Sequence, residues 1–143
     1  MALAWVREDT PVWDEGKQAI VAGSAAGAFE LSAPARGALV PGDWFHVEEN
    51  GAILGYGWMD CTWGDAEVTV AVDASHRKEG VGAFIIEHLE TEAAARGVNY
   101  LYNSVRADHP QRVAVTRWLE GLGFRPSGDG LLKKRVGKNS TIP

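Results

Sequence analysis

Between Val70 and Gly82 the sequence reads Val-Ala-Val-Asp-Ala-Ser-His-Arg-Lys-Glu-Gly-Val-Gly, a combination suited to holding an anion. Glycines such as Gly80 and Gly82 let a backbone approach a ligand closely. The unpaired N–H groups that open a helix, with its dipole, attract negative charge. Arg77 and Lys78 add two cations just ahead of them. The ligand such a turn fits is a pyrophosphate. Two common nucleotide loops are absent. Gly-x-x-x-x-Gly-Lys-Ser/Thr is missing, and Gly80-Val81-Gly82 meets Ile85 where a dinucleotide fingerprint needs glycine. A plain structural turn would use the same glycines, so the surrounding elements must decide.

Other chemistry-bearing types are sparse. Cys61 is the one cysteine, which excludes an internal disulfide and a multi-cysteine zinc site. His46, His76 and His88 have no metal-ligand spacing. His88 falls on an apolar helical stripe and reads as a satisfied buried histidine, and Cys61 as a small core or pocket-edge residue. Trp44, Trp58 and Trp63 crowd one stretch; most read as core, with one or two available to support a cation on an indole face. Charge is unevenly divided. Residues 1–75 carry 3 basic and 12 acidic side chains, and residues 76–143 carry 11 and 7. The overall charge of −5 argues against nucleic acid as a partner.

The elements that must position these groups follow from periodicity. A strand over 2–8 leads to a helix over 11–22, with Thr10 as N-cap and Pro11 as first helical residue. An irregular connection, 23–42, is rich in Gly, Ala, Ser and Pro. Strands over 43–48, 52–62 and 66–72 form a meander, turned at Glu49-Asn50-Gly51 and Trp63-Gly64-Asp65. In the third, Val68, Val70 and Val72 share one face and Glu67 and Thr69 the other. An amphipathic helix over 81–96 stops at Gly97. A strand over 98–106, a helix over 110–122 and a strand over 131–136 complete the order β-α-βββ-α-β-α-β. The 143 residues suit one α/β domain, 1–136, with a frayed tail at 137–143. No apolar run reaches 18 residues and the start lacks a signal-peptide pattern, so the expectation is a cytoplasmic protein with no membrane partner.

Placed between an apolar strand and a long amphipathic helix, Arg77-x-x-Gly80-x-Gly82 resembles the Arg/Gln-x-x-Gly-x-Gly/Ala signature of the GNAT acetyltransferase superfamily. Trp118-Leu119-Glu120-Gly121-Leu122-Gly123-Phe124 is similar to that family's second signature. The resemblance spans residues 43–136. It implies the GNAT fold, a mixed and mostly antiparallel sheet flanked by helices, with acetyl-CoA as co-substrate and no metal. The implied reaction is direct acetyl transfer to a primary amine of a small molecule or peptide.

By the same resemblance, the turn at Arg77, Lys78, Gly80, Val81, Gly82 and Ala83 holds the pyrophosphate. The main chain of Val70, Ala71 and Val72 pairs with the pantetheine arm as an added strand would. The sheet splays between 66–72 and 98–106. Glu67 is the implied general base, ahead of Asp60 and Asp65. Leu119 stands where many members carry a tyrosine that protonates the thiolate; Tyr100, Tyr102 and Ser104 are the substitutes. A thiol of pKa about 8.5 needs little help to leave at neutral pH. His109 stands where an asparagine often contacts the arm. The acidic amino-terminal half favours a cationic acceptor, and a homodimer is a candidate assembly. The alternatives are a catalytically silent CoA-binding or regulatory module, and an acyltransferase using a longer or carrier-borne chain.

Overall fold

The structure, a computed structural model, describes residues 2–22, 35–77, 79–104 and 111–136. Seven strands make one sheet: β1 (Ala4–Arg7), β2 (Asp43–Glu49), β3 (Ala52–Thr62), β4 (Asp65–Val72), β5 (Tyr100–Asn103), β6 (Arg125–Pro126) and β7 (Leu132–Arg135). Their spatial order is β1-β2-β3-β4-β5-β7-β6. Every pairing is antiparallel except β4 with β5. The helices are α1 (Glu15–Ile20), α2 (Val81–Ala95) and α3 (Arg112–Gly121). This is the expected mixed α/β architecture, with one strand more than the sequence indicates. Two residues carry no periodicity, and β6 includes a proline that only an edge strand tolerates.

The β2–β3 and β3–β4 hairpins form as their turn residues require. Asn50 and Gly51 have φ of 53° and 82°, and Trp63 and Gly64 have φ of 55° and 85°. Both are two-residue turns with positive φ at each position, whose twist matches the flanking strands. Leu54 is an extra residue in the register between β2 and β3, because Val47 pairs with Gly55 and Glu48 with Ile53.

The sheet separates two cores. On one face α2 packs Val81, Ile85, Ile86 and Leu89 against Phe45, Val47, Met59, Val68 and Leu101, and α3 adds Leu119. Gly55 and Gly57 line this face, where a Cβ would collide with Ile85, so their small size sets how closely α2 approaches. On the other face lie Trp13, Ile20, Val21, Trp44, Tyr56 and Ala71. Trp44 stacks on Trp58 with centroids 4.1 Å apart. Trp63, by contrast, is 98% exposed and belongs to neither core. His88 is satisfied as expected but half-buried rather than buried: its Nδ1 lies 2.8 Å from the Phe84 carbonyl and its ring stacks on Phe84.

The first helix is shorter than its local signals suggest. Asp14, not Thr10, is the N-cap, and its Oδ1 accepts from the Lys17 amide at 2.9 Å. Residues 11–13 are extended instead. Val12 bridges Leu39, the Pro11 carbonyl accepts from Val40, and the Trp13 amide donates to Ala38. Backbone groups that a helix would need are thus engaged by a distant segment. Lys17 is wholly buried in the second core, its Nζ 2.6 Å from Glu8 and 3.4 Å from Asp14. The ammonium also rests 5.1 Å from the ring centroids of both Trp44 and Tyr56. No helix among the described residues is long and apolar enough to cross a membrane.

Candidate active site

The strand β4 carries the site, and what happens at its edge defines it. Only Asp65, Ala66 and Glu67 pair with β5, opposite Tyr100, Leu101 and Tyr102. The Val68 carbonyl then accepts from the Asn103 side-chain amide at 2.8 Å, which closes the pairing. Beyond that point no described strand borders β4 on this side, so the sheet opens between β4 and β5.

Successive backbone groups of a strand point to opposite sides. The Val68 carbonyl faces β5, and the Asp73 amide faces β3, donating to Leu54 at 2.8 Å. Val70 and Val72 therefore direct their N–H and C=O groups into the opening. Ala71 does not. Its carbonyl faces β3, 2.9 Å from where a Cβ on Gly55 would stand. Of the three residues expected to offer main-chain groups here, Val70 and Val72 present theirs to the opening, while strand alternation spends those of Ala71 in the β3–β4 ladder.

The opening leads to the start of α2. Asp73 caps a short 3-10 turn over Ala74–His76, and Arg77 follows in an extended, exposed conformation. Gly80 is the N-cap of α2 with φ of 87°, a left-handed conformation that a side chain would strain. The first helical bond is from the Phe84 amide to the Gly80 carbonyl at 3.0 Å. The amides of Val81, Gly82 and Ala83 precede it and have no partner within the helix. No acidic residue occupies the first turn. Glu79 is turned aside by His76, at 3.0 Å, and this hydrogen bond raises the histidine pKa. The turn thus offers three amides, a helix dipole and Arg77 to an anion. Lys78 and His109, both expected at the cofactor, lie outside the described residues.

Gly82 has a second role. A Cβ there would lie 2.7 Å from Cζ2 of Trp118, so α3 fills the space that this glycine leaves. Leu119, next along, is 3% exposed in the core. It has no proton to give, and its side chain is spent in core packing.

Glu67 and Tyr102 are register partners at the last paired position before the opening, on the face opposite Val68. The Ser104 hydroxyl lies 3.4 Å from the Glu67 carboxylate. Asp60 pairs with Glu67 across β3–β4. Burial raises the Tyr102 phenol pKa, and the charges of Glu67, Asp65 and Asp60 raise it further. Tyr102 therefore stays protonated at neutral pH. Cys61 is exposed rather than a core residue. Partial desolvation of the sulfur by its neighbours and the Asp43 charge still push its pKa up, which disfavours the nucleophilic thiolate. Sequence reasoning missed Asn103, although an asparagine closing a strand is a poor strand former and so a mark of a side-chain task.

Comparison with known proteins agrees with this geometry. A model of the acetyltransferase (GNAT) domain matches residues 41–126. The [ribosomal protein bS18]-alanine N-acetyltransferase of Escherichia coli K12 is 31% identical over 81 residues, covering 56% of this chain and 53% of that protein. The chain thus spans about half the length of the curated relatives it matches. The crystal structure of the Escherichia coli ribosomal-protein-S18-alanine N-acetyltransferase superposes with a TM-score of 0.66 at 22% identity, covering 94% of each chain. A putative GNAT-family acetyltransferase from Desulfovibrio desulfuricans gives 0.69 at 16% identity, over 95% of this chain and all of that one, 100%. With its signature turn, its opened β4–β5 edge and a family match covering most of its length, the chain belongs to the GNAT acetyltransferase family.

Proposed function

We propose that this chain transfers an acetyl group from acetyl-CoA to an amine. The observation that carries the reading is the continuous path from the Glu67–Tyr102 pair, along the open main-chain edge at Val70 and Val72, to the free amides of α2. An extended amide-bearing arm can add to that edge as a strand would. A pyrophosphate at its far end meets Val81, Gly82, Ala83 and Arg77. The length of chain between these points separates the reacting end from the anchored end.

Acetyl-CoA supplies the activated thioester carbonyl. An acceptor ammonium must lose a proton before its nitrogen can attack, and Glu67 takes it, directly or through one water. The C–N bond forms, the C–S bond breaks, and the thiolate leaves. Tyr102 gives that sulfur a proton, in the role that Leu119 cannot fill. We assign the domain to 1–136, and a cytoplasmic location accords with the lone Cys61. The relatives named for ribosomal-protein alanine make a polypeptide amino terminus an acceptor to test beside small amines.

Glu67→Gln should lower kcat/KM by about 100-fold or more at pH 7 with CoA affinity unchanged. The loss should shrink as pH rises, because more acceptor is then already neutral. A free-thiol release assay across amines, polyamines and peptides measures both. Wild-type turnover in the variant would return Glu67 to a structural role. The buried Leu119 favours a second reading, a CoA-binding module without catalysis, which binds CoA yet releases no thiol with any acceptor.

A further inference from the structure

We propose that Trp118 is a cofactor-binding residue, its indole forming one wall of the pyrophosphate site and carrying the apolar or aromatic group attached to that pyrophosphate. The proposal rests on the acetyl-CoA reading above and adds a residue that neither signature assigns to the ligand.

Three observations place the ring. First, it lies against the first turn of α2, with Cζ2 and Cη2 2.7 and 3.2 Å from the Cβ position of Gly82. The amides of Gly82 and its neighbours are the ones left free for an anion, so the indole stands beside that anion. Second, α3 cannot turn the ring away. Leu119 is locked in the core, with Val115 and Leu122 packed against the same cluster. Third, Trp118 remains 39% exposed although it touches the first turn of α2 and the residue after it is buried, so part of this side chain is left open to a ligand.

The chemistry of coenzyme A fits this surface from either side. One end of its pyrophosphate carries adenosine, whose π-face stacks on an indole. The other carries a pantoyl segment with two methyl groups, which an indole face shields from water. Aromatic contacts of this kind are sequence-tolerant and substantial. The wall also explains why residue 82 is glycine: its missing side chain is filled by Trp118, which brings the ring next to the helix amides.

The test is CoA binding followed by tryptophan fluorescence. With six tryptophans in the chain, the difference between wild type and Trp118→Phe isolates this ring. Saturating CoA should change the Trp118 signal. Trp118→Ala should weaken CoA binding, and raise KM for acetyl-CoA, by about tenfold. Its kcat and acceptor KM should stay within about twofold. A truncated acetyl thioester of N-acetylcysteamine, which has no pyrophosphate, should react equally with both proteins. Competition by 3′,5′-ADP or by 4′-phosphopantetheine tells which group lies on the ring. The proposal is overturned by a wild type that binds CoA with no Trp118-dependent signal, or by a Trp118→Ala protein with wild-type affinity. Equal losses on CoA and the truncated thioester also overturn it. If Trp118→Ala does not fold, the Trp118→Phe comparison still decides. A wild type that binds no CoA defeats the acetyl-CoA reading instead.

Discussion

Trp63 shows how a single residue can run against its local chemistry. It sits at the first turn position between β3 and β4 with φ of 55°, where a bulky L side chain is disfavoured. It is also 98% exposed, so burial does not compensate. The other hairpin solves the same geometry with Asn50-Gly51, the favoured pair. Trp63→Asn should therefore stabilise the fold by about 0.5–1 kcal/mol. Equilibrium urea unfolding measures it, and a destabilised variant would mean that the indole has a packing role. The sequence places this turn correctly, because Gly64 and the flanking alternation are local signals. Most of the three tryptophans in this stretch are expected to pack, and Trp44 and Trp58 do; which one stays outside is a property of the assembled sheet. The same holds at Ala71. Its neighbours Val70 and Val72 are indistinguishable from it as backbone until the register with β3 fixes which way each points. Glu67 is different, since simple alternation already sets it on the face opposite the buried Val68, where the structure has it.

At the scale of elements, α2 was legible because its stripe, its opening glycines and Gly97 all agree locally. The first helix was not, because the start signal at Thr10-Pro11 competes with pairing to residues 38–40, far along the chain. What secures α1 is a charge clamp. Glu8 on the β1 side accepts from Lys17 at 2.6 Å and from His46 Nδ1 at 2.7 Å, and His46 Nε2 lies 2.6 Å from Glu48. The hydrogen bond to Glu8 raises the His46 pKa above 6.5; burial opposes this, and Glu48 adds to the rise. Burial alone would push the Glu8 carboxyl up, but the bonds from His46 and Lys17 outweigh it and hold it below 4.5. The signs then differ. A raised histidine stabilises the fold fully below pH 6.5 and loses that contribution as pH rises through its folded value. A lowered carboxyl stabilises above pH 4.5 and loses its part as pH falls through its folded value. The clamp is therefore strongest between pH 4.5 and 6.5. Melting temperature should fall as pH rises from 6.5 to 8.5, by about 2–4 °C for each kcal/mol lost. His46→Gln should remove that slope. An unchanged slope in His46→Gln would assign the pH dependence elsewhere.

Across the whole molecule, the acidic residues of the amino-terminal half include two contrasting groups. Glu8, Asp14 and Glu48 are engaged with Lys17 and His46, Glu15 with Arg36, and Asp43 with Arg96. Asp60, Asp65 and Glu67 make no ion pair among the described residues, and all three raise the pKa of Tyr102. Register sets Asp60 and Tyr102 on either side of Glu67, with Asp65 two residues before it on the same face of β4. A cleft lined by one sign of charge concentrates the opposite sign. Cationic amines should outcompete neutral or anionic ones, with an amino-acid amide or ester favoured over the free amino acid by about fivefold or more in kcat/KM at low salt. Screening acts over about 8–10 Å, so the advantage should shrink on raising salt to physiological strength. Kinetics on such a matched pair at two ionic strengths measure both effects. Asp60→Asn, which leaves Glu67 in place, should reduce the preference without abolishing turnover. Preference for the free carboxylate, unmoved by salt, would mean that these three charges face solvent and that acceptor choice lies with the aromatic residues around Trp58.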